Sequence, residues 1–142
     1  MDADVIESWS QWLLLVPELL PLWEPIDLSL GAKKAALKLG LPRGDALERR
    51  LRSRGAPPYL TMRNWYYLVQ LVRTCQQGLS LSQWALASGR DPAIYYRFVG
   101  RTARRSWTEV QRDGPELVMV RAITLWAPSV GTLAGEQESA DA

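Results

Sequence analysis

The sequence predicts an all-α protein: two helix-turn-helix units joined by a long connecting helix, with an extra helical segment at the N-terminus. Two observations carry that expectation. Ala36 stands four residues before Gly40, and Ala85 four before Gly89. This spacing puts a small residue where two helices cross and a glycine where the turn needs positive φ. The pattern recurs about fifty residues along, as an internal repeat does. Between the two copies lies TMRNWYYLVQLVRTCQQ, residues 61–77, with Trp65, Leu68, Leu71, Val72 and Cys75 at helical spacing on one side.

Residues 1–27 form the extra segment. Its apolar run is short and broken by Pro17, Glu18 and Pro21, which excludes a membrane span, and its acidic start lacks the basic region of a signal peptide. Trp9, Trp12, Leu13 and Val16 share one helical face, and Leu19, Leu20, Leu22 and Trp23 follow the proline. Two readings stand: a short helix pair packed on the core, or an exposed surface for RNA polymerase or a partner regulator.

Residues 28–58 make the first unit. Pro42 opens its second helix; Ala46 or Leu47, with Leu51, faces inward, while Arg43, Glu48, Arg49, Arg52 and Arg54 stay outside. Gly55 ends it. After the rigid Pro57-Pro58 step comes the connecting helix, residues 59–78, its helical pattern bounded by Thr61 and Gly78. Cys75 within it reads as a small buried thiol.

Residues 79–126 hold the second unit and a closing helix. Ser80 is placed as an N-cap, and Leu81, Trp84 and Ala85 face inward. Asp91 caps the next helix, with Pro92 at its first position, where a missing N–H costs nothing. Tyr95, Val99 and Thr102 point in. Ala93, Tyr96 or Arg97, Gly100 or Arg101, and Arg104 form the opposite stripe. Beyond Trp107 a short helix reaches Gly114-Pro115, and an apolar stretch to Trp126 closes the core as a helix, although its Val and Ile content permits a strand. The acidic, small-residue stretch 127–142 is expected to be disordered.

Charge is unevenly spread along the 142 residues, although the net is only +2. Residues 1–32 carry six acids and no base; residues 33–112 carry sixteen Lys or Arg against four acids; residues 113–142 carry five acids and Arg121. A basic middle rich in arginine favours phosphate and guanine, which the guanidinium fork binds bidentately. The chain has no histidine and one cysteine, so internal disulfides, zinc sites of the usual ligands and histidine catalysis are excluded. With no phosphate loop, nucleophile elbow or carboxylate pair either, the expectation is a cytoplasmic non-enzyme without a cofactor.

The stretch GLSLSQWALASGRDPAIYYRFVGRTARRSWTEV resembles the DNA-binding domain of the AraC/XylS family of bacterial transcription regulators. The family pattern is Leu-Ser, Ala, a Gly-Phe turn, Ser-Asp-Pro, a helix ending Phe-x-Arg-x-Phe, and Gly-x-(Ser/Thr)-Pro. Here Arg90 follows Gly89 directly, Val99 replaces the second aromatic, Arg104 a glycine and Trp107 a proline. In the first unit Leu47, Arg49 and Leu51 match the recognition-helix pattern. The resemblance covers about residues 28–112 and implies a short, stand-alone member, a regulator of double-stranded DNA working through both units. On that reading Ala93, Tyr96 and Arg97 reach base edges from the second recognition helix, and Arg43, Arg49 and Arg52 from the first. Arg63, Arg101, Arg104 and Arg105 would hold phosphates. The alternative is a module of the same fold that binds a protein instead.

Overall fold

A computed structural model describes the backbone of residues 2–75 and 79–141 and the side chains up to Leu125. Its secondary structure is helical throughout, with no strand among the described residues. In order these are α1 (Ala3–Leu13), a 3-10 helix (Pro17–Trp23), α2 (Ala32–Lys38), α3 (Gly44–Ser53), α4 (Tyr59–Thr74), α5 (Leu81–Ala87), α6 (Pro92–Ala103) and α7 (Trp107–Asp141). The Val- and Ile-rich closing stretch is therefore helix. Gly78, expected to stop the connecting helix, and the side chains of the tail lie outside the described residues.

One apolar cluster unites the chain, from Trp9 on α1 to Ala122 on α7, with α4 through its middle. The N-terminal tryptophans belong to it. Trp9 and Trp12 stack at 4.9 Å, and Trp12, Val16, Leu19 and Trp23 are essentially inaccessible. Trp23 Nε1 donates to Tyr59 Oη at 3.1 Å, and that hydroxyl donates to the Leu30 carbonyl at 2.8 Å. The segment is a packed layer of the core, and its tryptophans offer no aromatic docking surface.

Helix ends follow their capping chemistry. Ser80 and Gln83 form a reciprocal capping box at 3.0 Å each way, and Asp91 Oδ1 accepts from Ala93 N at 3.0 Å. The N-terminus of α4 is capped from a distance: both Glu48 oxygens accept from Tyr59 N, at 3.2 and 3.3 Å. That carboxylate lets α4 begin ahead of Thr61. Pro42 does not open α3; the helix starts at Gly44, with Arg43 extended at the cap. Gly114, at φ +85°, breaks α7 just before the buried Pro115.

The two repeated spacings become the same helix C-cap closure. Leu41 N donates to Ala36 O at 2.8 Å and Gly40 N to Leu37 O at 3.1 Å; Arg90 N donates to Ala85 O at 2.8 Å and Gly89 N to Leu86 O at 3.0 Å. This is the paired 6→1 and 5→2 closure of a Schellman cap, which needs a left-handed residue at the glycine. Gly40 sits at φ +77° and Gly89 at +72°. Ala36 and Ala85 are fully buried. Thus α2 packs on α3 and α5 on α6 as two helix pairs, bridged by α4.

Candidate nucleic-acid interface

On α6 the periodicity separates two faces. Tyr95, Phe98 and Val99 are buried and hold the helix to α4 and α5, while Thr102 is half-buried. Phe98 adds an aromatic anchor to that inner face that the sequence reading did not assign. Ala93, Tyr96, Arg97, Arg101 and Arg104 are exposed. Their spacing of three, four and eight from Ala93 keeps the first four on one stripe. The Tyr96 hydroxyl shares a hydrogen bond with Ser82 Oγ at 3.0 Å, tying the tip of that ring to the first turn of α5.

Arg97, Arg101 and Arg104 make no ion pair or side-chain hydrogen bond among the described residues. Three unpartnered guanidinium groups within eight residues form a concentrated cationic edge. Arg104 is distinctive in its backbone too: it ends α6 at φ +57°, ψ +31°, the one described non-glycine residue at positive φ. This left-handed cap is where the resemblance expected glycine, and an L-residue there costs about 1–2 kcal/mol.

Comparison with protein-family models, with curated proteins and with solved structures finds no match.

The remaining arginines named from the sequence are disposed differently. Arg43 Nε pairs with Asp45 at 3.2 Å and Arg49 reaches the same carboxylate at 4.0 Å, all three largely exposed; Arg52 alone on α3 is exposed and without an ion pair. Arg105 is clamped by Glu109 at 3.3 Å and Asp113 at 2.8 Å, and Asp113 also meets Arg121 at 3.0 Å. Ser106, donating from backbone and hydroxyl, holds Glu109 below the usual carboxylate range.

Arg63 is only 6% exposed, so the phosphate contact expected of it is corrected. Its Nη1 donates to the carbonyls of Leu28 at 3.2 Å and Leu30 at 3.1 Å, its Nε and Nη2 to Asn64 Oδ1 at 3.1 and 2.7 Å. The guanidinium also lies 5.5 Å from the Tyr67 ring centre. Burial holds its pKa below the ordinary arginine value. Arg63 is a fastener of the irregular segment leading into α2.

Arg90 does similar work in the second pair. It donates to the Ile26 carbonyl and, at 2.7 Å, to Tyr95 Oη. It also lies near the rings of Trp84 and Tyr95, which meet edge to face at 5.0 Å. Its position directly after the turn glycine was the only sequence signal for this role. Cys75 is fully buried, and desolvation pushes its thiol pKa up. No group of three or more metal-ligating side chains occurs among the described residues, and no described helix is long and apolar enough to cross a membrane.

Proposed function

We propose that the chain is a DNA-binding transcription regulator that lays α6 in the major groove. The observation that carries this reading is the cationic edge of α6: Arg97, Arg101 and Arg104 stand exposed and unpaired, while Arg43, Arg49, Arg50, Arg54, Arg105 and Arg121 each meet a carboxylate. Arg52, Arg73 and Arg112 are also exposed and without an ion pair among the described residues, but they are scattered, whereas α6 and its cap gather three such arginines within eight residues. A helix that withholds three of them is suited to a polyanion, whose phosphates release counterions on contact. Small Ala93 and hydroxyl-bearing Tyr96 beside Arg97 leave room for base edges.

In this reading Arg97 contacts a guanine edge and Arg101 and Arg104 contact phosphates. On α3 Arg52 is the free cation, and Arg43 and Arg49 reach DNA only by leaving Asp45. Selection of bound sequences from a random duplex pool is the test. One strong motif, weakened steeply as salt rises, is the expected result. Two equally strong motifs about one helical turn apart would assign base reading to both pairs. Retention that is salt-independent, or no enrichment, would favour a protein partner in place of DNA.

A further inference from the structure

We propose that the cleft between the two helix pairs binds a small organic carboxylate with an apolar body, its charge held by Arg101 beside Arg63. The cleft measures about 460 Å³ and lies between the irregular segment entering α2, the first turns of α4 and the second half of α6. Leu28, Leu60 and Phe98 supply apolar wall, and Thr102 a hydroxyl. A recess of this size and mixed lining is the usual form of a small-molecule site.

The charges inside it are unbalanced. Arg63 is buried, and every partner it has is neutral: two carbonyls, one amide oxygen and a tyrosine ring. Four of its five N–H groups are engaged, leaving one on Nη2. Arg101 lines the same cleft, and neither guanidinium meets a carboxylate within ion-pair distance among the described residues. Burial is the main cause that lowers the Arg63 pKa; Tyr59, Tyr67 and the Asp27 carboxylate oppose it, and the charge of Arg101 adds a smaller lowering by repulsion. A bound anion would turn that repulsion into two favourable interactions, and partial burial strengthens both. Inorganic phosphate satisfies the charge and leaves Leu28 and Leu60 uncovered, whereas an aromatic or short-chain carboxylate answers the charge and the apolar wall together.

The inference shares Arg101 with the DNA-binding reading, and its test uses no DNA, so the two can fail separately. Benzoate titrated into the full chain, followed by calorimetry and thermal shift, is expected to bind saturably in the range up to about 10 mM. Arg101→Ala and Leu60→Ser should each weaken it about tenfold or more, and Arg112→Ala, an exposed arginine that does not line the cleft, should leave it unchanged. Three results would overturn the proposal: no saturable binding, phosphate binding as tightly as benzoate, or benzoate affinity unaltered in both cleft variants. Arg101 and Leu60 are both exposed, so these variants keep their fold and the titration stays decisive.

Discussion

In the first helix pair Leu41 N closes on the Ala36 carbonyl at 2.8 Å; in the second Arg90 N closes on Ala85 at the same distance. The glycine closures match, yet the helices around them are held in different ways. α5 carries a capping box and α6 an aspartate cap with proline behind it. α2 and α3 begin at Gly31 and Arg43 with no side-chain cap. What steadies α3 comes from elsewhere: Arg50 and Arg54 both reach Glu18 beside the 3-10 helix, and Glu48 ties α3 to the start of α4. The second pair is written into its own thirty residues, and the first is borrowed from its neighbours. The same division governs charge. Arg49 and Arg50 on α3 meet carboxylates and only Arg52 does not, while neither arginine of α6 has an ion pair among the described residues.

The largest effect should come from removing the layer on which the first pair leans. Trp12→Ala, opening a cavity at a fully buried indole, should cost about 3–5 kcal/mol in denaturant unfolding. A loss under about 1 kcal/mol would mean that the N-terminal layer is dispensable.

Next comes the functional asymmetry. Arg97→Ala should cost about 1–3 kcal/mol on the preferred duplex and relax one base position. Arg49→Ala, already engaged by Asp45, should change binding by much less. Equal losses in the two variants would erase the distinction between the pairs.

The turns should behave alike. No atom lies within 4 Å of a Cβ built at Gly40 or Gly89, so Gly40→Ala and Gly89→Ala should each cost about 1–2 kcal/mol through backbone strain alone. A cost at one position only would show that the turns are equivalent in geometry but not in energy. The smallest change separates stability from binding at a single residue. Arg104→Gly relieves the left-handed cap and should stabilise the fold by up to about 1 kcal/mol. It should also lower the salt dependence of DNA binding by about one unit of slope. Loss of stability would deny that α6 ends under strain.

What the sequence made legible was what neighbours in the chain decide. Ser80, Asp91-Pro92 and the Ala-to-Gly spacing act over four or five residues, and the helical turns they predict are the observed ones. Tyr95 and Val99 followed from helical period alone. Arg63 and Arg90 were illegible because their acceptors are backbone carbonyls 35 and 64 residues away; nothing in composition marks a carbonyl left open by an irregular segment. Pro42 misled for a related reason. It suits a first helical position, but the turn after Gly40 runs one residue longer, and Arg43 takes the cap. Arg105 lay in between, since Glu109 four residues on was visible as a partner while Asp113, beyond a second turn, was not.

The bond from Arg90 to the Ile26 carbonyl has a consequence for dissection. Position 90 lies just past one turn, and position 26 lies in the irregular segment that feeds the other pair. A fragment beginning at Leu79 would retain every cap that shapes α5 and α6, yet it would strip the guanidinium of a partner and bare the Trp84–Tyr95 edge to solvent. The half of the molecule that looks self-sufficient is thereby stitched to the half that is not.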